Sequence, residues 1–143
     1  TASPVSPNVF QVPSSTSSLK QATHVNAEEF LRTAKGLFIR LQAANDKKDM
    51  DDLRRFLTPE MYAEAQLQIM ERDSEVQTTQ VVSLNATLIS LVSEGSHDIG
   101  SVRFTGQLKM NDEVVADDIS EVWHFTKWSN HTDEWSLAGI QQN

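Results

Sequence analysis

The chain has 143 residues, with 20 acidic and 12 basic side chains for a formal net charge of −8 at pH 7, and it has no cysteine. One domain of this length buries roughly two-thirds of the surface its unfolded chain exposes, so a core forms without staples. The missing thiols exclude a disulfide framework, a thiolate metal site and a cysteine nucleophile, and the negative charge argues against nucleic acid as a partner, because each phosphate contact would be made in a repelling field.

Residues 1–25 contain Pro4, Pro7 and Pro13 and the Ser/Thr run Ser14–Ser18, with apolar residues too scattered to form a face. This composition predicts a linker or disordered arm, with the folded domain spanning 26–143. Asn26 is a helix cap with Glu29 placed to close a capping box, and Phe30, Ala34, Leu37, Phe38 and Leu41 recur at helical spacing, which predicts a first helix to about Asp46. Asp49 offers a second cap, with Leu53, Phe56 and Leu57 on the buried side. Thr58-Pro59-Glu60 starts a third helix whose inward residues are Met61, Tyr62, Ala65 and Ile69.

From about Thr78 the apolar period changes from 3.6 to 2. Val82, Leu84, Ala86 and Leu88 predict one face of a first strand, and Val102, Phe104, Gly106, Leu108 and Met110 that of a second. Asn111-Asp112-Glu113 reads as a hairpin turn. A third strand, about Asp118–Trp128, places Ile119, Glu121, Trp123, Phe125 and Lys127 together, and a fourth, Glu134–Gln141, sets Trp135, Leu137 and Gly139 opposite Ser136, Ala138 and Ile140. Helices followed by an antiparallel meander make an α+β domain, whose helices cover one sheet face.

Three segments resemble the Tim44-like domain family: Phe56-Leu57-Thr58-Pro59-Glu60-Met61, Glu121-Val122-Trp123-His124-Phe125-Thr126-Lys127, and Trp135-Ser136-Leu137-Ala138-Gly139-Ile140-Gln141-Gln142. The likeness extends over about Glu28–Gln142. It implies a nuclear-transport-factor-two-like cone, in which N-terminal helices pack on a curved four-stranded antiparallel sheet around an apolar cavity. It also implies membrane association, lipid contact and protein tethering. Mitochondrial members place basic amphipathic helices ahead of the cone, whereas residues 1–25 here are nearly uncharged.

The expected ligand surface lies between sheet and helices, with Phe38, Met61, Tyr62, Val102, Phe104, Leu108, Met110, Glu121, Trp123 and Phe125 as its candidates. For any one of them, plain core packing is the competing expectation. Glu121 shares a face with Trp123 and Phe125. Buried alone its carboxyl pKa would rise, as in general acids and bases, and Tyr62 would be its partner in an isomerase- or dehydratase-like enzyme of the cone class. A cross-strand pairing with Lys109 or Arg103 is the structural alternative. A second patch, Lys47, Lys48, Arg54 and Arg55, would dock an acidic protein or lipid heads, unless its mixed charges only cap helices. His24, His97, His124 and His131 lack metal-ligand spacing, and Asp112, Glu113, Asp117 and Asp118 lack the glycine of a calcium loop, so neither metal nor cofactor is expected.

These features predict a non-enzymatic binding or tethering domain of a membrane-associated protein, with a lipid or a membrane-protein partner and a homodimer through an exposed sheet face as its associations. A structural module of a larger assembly is the remaining alternative. No stretch of about 18 apolar residues is present, so no helix here is expected to span a bilayer. The expected location is the bacterial inner membrane, with an anchor upstream of Thr1.

Overall fold

The computed structural model describes residues 20–21, 25–72, 76–128 and 134–142. His24, His131 and nearly all of the Pro/Ser-rich segment lie outside these. A two-residue strand, β1 (Lys20–Gln21), precedes three helices, α1 (Ala27–Lys47), α2 (Met50–Phe56) and α3 (Pro59–Arg72). Four longer strands follow: β2 (Thr79–Glu94), β3 (His97–Met110), β4 (Asp117–Trp128) and β5 (Ser136–Gln142). The sheet is antiparallel in the order β1-β2-β3-β4-β5. The helices pack against a curved open sheet, which is the α+β cone expected; its four strands are β2–β5, and β1 extends the sheet at Val92–Ser93.

Local chemistry sets the helix boundaries. Asn26 Oδ1 accepts the Glu29 backbone N–H at 3.0 Å, and Glu28 and Glu29 complement the positive end of α1. At the other end Lys48 adopts the left-handed conformation (φ 60°) that a C-terminal glycine usually takes, and the Asp49 N–H returns to the Ala44 carbonyl at 2.9 Å. Asp49 then caps α2 through the Asp52 N–H at 3.2 Å. Leu57 forms an isolated bridge to Leu137, and the Thr58 N–H donates to the Leu137 carbonyl at 3.0 Å, so the α2–α3 junction is fastened to β5.

The core is a layer of aromatic rings between α1 and the concave sheet face. Phe38 lies 4.8 Å from Phe104 and 4.7 Å from Trp123, and Phe30 lies 4.6 Å from Trp135 and 6.0 Å edge-on from Phe125, centroid to centroid. Phe30 sits directly over Gly100, where any side chain would run into its ring. Gly106 meets the β2 backbone at Ser83 as closely, so a Cβ there has no room.

Two alternation readings are corrected by bulges. The β2–β3 register skips Val82 and again Ile89, and both of these side chains are exposed. Val82 therefore leaves the face it was expected to share with Leu84, Ala86 and Leu88, and Val81 and Leu91 take the inward positions. In β5 the register skips Ala138, so Gly139 pairs with His124 and Ile140 with Trp123. Ile140 thereby joins the side of Leu137, which strict alternation had assigned to Gly139.

In the last turn of α1, Asp46 accepts from the Thr79 N–H (2.6 Å), the Thr79 hydroxyl (2.9 Å) and the Gln77 amide (3.0 Å). Arg72 of α3 donates to the Asn45 carbonyl at 2.6 Å. The ends of α1 and α3 are tied in this way to the start of β2.

The glycines give a paired test. Gly100→Ala is expected to lower stability by about 1–3 kcal/mol through overpacking against Phe30, read as a lower urea midpoint with an unchanged slope. Gly36, mid-helix with nothing within 4 Å of a built Cβ, should behave oppositely, Gly36→Ala adding about 0.5–1 kcal/mol.

Candidate functional site

Between the C-terminal half of α1, helices α2 and α3, and strands β4 and β5 lies an open groove of about 420 Å³. Its floor is formed by the buried side chains Leu41, Leu53, Leu57, Trp123 and Leu137, extended by the half-buried Met61, Ala65 and Ile140. Polar lining comes from the amides Gln42, Asn45, Gln68 and Gln142 and from two carboxylates, Glu64 and Glu121. Among the described residues no lysine, arginine, histidine, tyrosine, serine or threonine lines it.

Glu121 lies on β4 beside its register partner Gln142 of β5. Its Oε1 accepts the Trp123 indole N–H at 2.9 Å and its Oε2 accepts the Gln142 side-chain amide at 3.0 Å. The anticipated cross-strand pairing is not made. Glu121 stands opposite Phe104 and Lys109 opposite Gln80, while Arg103 is on the far face of β3. A face follows from alternation, but a partner follows from register.

The structure brings three of the ten sequence-derived pocket candidates into the groove: Met61, Glu121 and Trp123. Phe38, Val102, Phe104 and Phe125 are fully enclosed in the aromatic core, and Leu108 is buried with them. Met110 lies at the hairpin end of β3, within 3.5 Å of the Thr79 hydroxyl. The Tyr62 hydroxyl accepts from Arg54 at 3.0 Å, with the guanidinium 5.0 Å from its ring, outside the groove lining. The helix positions Gln42, Asn45, Glu64 and Gln68 were missed because polar residues on amphipathic helices read as solvated. Their signal was adjacency to the apolar stripe, at Leu41 and at Ala65 and Ile69.

The two arginines of the basic patch are engaged within the fold, as is Arg40 outside the patch. Arg55 pairs with Glu134, and Arg40 pairs with Asp52 through two hydrogen bonds of 2.7 and 2.9 Å. Both guanidinium groups flank the Phe56 ring, at 4.6 Å for Arg40 and 4.8 Å for Arg55. Arg54 is stacked on Tyr62, Lys48 is the helix cap, and Lys47 is in the last turn of α1. These pairs hold the Asp52 and Glu134 carboxyls below the usual carboxylate range.

On the outer sheet face Ile99, Ser101, Val122, His124 and Thr126 are buried. The His124 Nδ1 lies 2.8 Å from the Ser101 hydroxyl. Burial pushes the imidazole pKa below its ordinary value, with a hydrogen bond to Gln141 opposing. Among the described residues no three metal-ligating side chains cluster, and no helix is long and apolar enough to cross a membrane.

The fold is thus an α+β cone with an open groove that has an apolar floor. The Tim44-like domain profile matches residues 16–142, nearly the whole chain, and the chain belongs to that family. Membership carries a membrane-associated binding or tethering role in general, in a family that is generally non-enzymatic. Comparison with curated proteins gives no match.

His124 yields a pH prediction. The unfolded imidazole takes up its proton near pH 6.5 and the folded one only at lower pH, so stability is complete above about 6.5 and declines as pH falls through that window. Urea midpoints between pH 8 and 5 should show this slope, and His124→Gln should flatten it. The Asp52 and Glu134 contributions are lost lower, below about pH 4, as acid reaches their depressed folded values.

Proposed function

We propose that this chain is a non-enzymatic binding and tethering domain of a protein at the bacterial inner membrane. Its groove would receive an apolar ligand or apolar side chains of a partner. The observation carrying this reading is the groove itself, a concave apolar floor with a few convergent polar groups. Anchorage by residues upstream fits the charge, since a net of −8 and an acid-bearing groove disfavour contact with an anionic bilayer.

The chemistry of the lining disfavours the enzymatic alternative. Glu121 alone among the candidate catalytic groups lines the groove, while Tyr62 is held outside by Arg54. The isomerase- or dehydratase-like reading calls for Tyr62 beside that acid, and the two are not brought together in the groove. The linker reading of residues 1–25, apart from Lys20–Gln21, which pair with β2, and the association of two copies belong to the same proposal, and native mass spectrometry tests the latter.

Decanol, a neutral apolar probe, is expected to shift the methyl resonances of Leu53, Leu57, Leu137 and Ile140. Ala65→Phe, which fills the groove from α3, should abolish those shifts while leaving the melting temperature close to that of the parent. In flotation, the isolated chain should stay with the soluble fraction for both neutral and cardiolipin-containing vesicles. Methyl shifts confined to residues away from the groove, or none, would sink the assignment of the site.

A further inference from the structure

Resting on the reading of the groove as a binding site, the geometry points to its charge class: we infer that it receives a lysine or arginine side chain of a partner protein, framed by apolar residues. Glu121 carries the inference. Its two carboxylate oxygens are each fixed by a neutral donor, the Trp123 indole and the Gln142 amide. Such donors orient a carboxylate without cancelling its charge. Two acids near the helix layer are instead paired with bases, Asp52 with Arg40 and Glu134 with Arg55, and Asp46, which neutral donors also hold, is not part of the groove lining.

The surroundings raise the worth of that charge. Glu121 borders an apolar floor, where a charge pair is screened less than at an open surface, and among the described residues no basic side chain lines the groove. Glu64 adds a second carboxylate to the lining. An anionic head group would be repelled, whereas the long stem of a lysine or arginine can lie on Leu53, Leu57 and Ile140 with its charged end at Glu121. A groove of about 420 Å³ also matches one such side chain with small apolar neighbours better than a two-chain lipid. The long-range field acts in the same direction. Residues 73–143 hold eleven acids against three bases, which favours the approach of a basic partner.

The test uses a soluble Ser/Leu/Ala peptide with one central lysine, acetylated and amidated, and the same peptide with norleucine or glutamate at that position. The Trp123 indole N–H resonance reports directly, because that N–H donates its hydrogen bond to the Glu121 carboxylate. Saturable shifts are expected for the lysine peptide, with about ten-fold or weaker affinity for norleucine and no binding for glutamate. Glu121→Gln, which keeps a hydrogen-bonding side chain of similar size, should erase the lysine-over-norleucine preference while decanol binding persists. Equal affinity for lysine and norleucine overturns the charge assignment and leaves the apolar groove standing. Binding of n-hexylammonium without binding of any peptide overturns the partner assignment in favour of a free amine. If neither peptides nor decanol perturb the groove, the underlying site reading fails with it.

Discussion

The placement of α1 in the concave sheet is the constraint on which the other features depend. Phe30 and Phe38 lie eight residues apart on one helix face, and their rings fill two adjoining parts of the cone: Phe30 against Gly100, Phe125 and Trp135, Phe38 against Phe104 and Trp123. Because these rings occupy the middle of the sheet, the open space is displaced to the end where α1 runs on through Leu41 and Asn45. The groove is therefore what the aromatic layer leaves unfilled between that end, α3 and the last two strands.

The second determinant is the fastening of the short helices. The Leu57–Leu137 bridge and the Thr58 hydrogen bond hold the α2–α3 junction against β5, and the Arg40–Phe56–Arg55 stack with its two acid partners holds α2 against α1 and the approach to β5. Exposed ion pairs of this kind add little stability singly. Their effect here is geometric: Leu53 and Leu57 are presented to the groove as a fixed wall, and the two arginines of the patch that the sequence assigns to docking are directed toward the protein's own rings and carboxylates.

Legibility in the sequence followed the range of the interactions. Asn26, Asp49 and Thr58 marked helix starts because a cap involves residues three apart, and β3 was read correctly because its alternation at Val102, Phe104 and Leu108 is uninterrupted. Val82 and Ile140 were assigned to the wrong faces because a bulge depends on the neighbouring strand, which the local pattern does not encode. For the site, the face of Glu121 was legible and its partners were not. The Gln142 amide lies on another strand, and its placement follows from the β5 bulge. The need for a bare Gly100 was equally hidden, since it arises from a ring seventy residues away on α1.

The bulges at Val82 and Ile89 have a consequence for the sheet's margin. Among the described residues β1 covers only Val92–Ser93 of β2, so most of that long strand is a border whose backbone groups could template another chain. An added residue at each end of the Ser83–Leu88 stretch kinks the border and breaks it into short lengths. A chain that exposes Val82 and Ile89 at these kinks is thereby guarded against edge-to-edge polymerisation by backbone shape, without a proline or a lysine in this stretch of the strand.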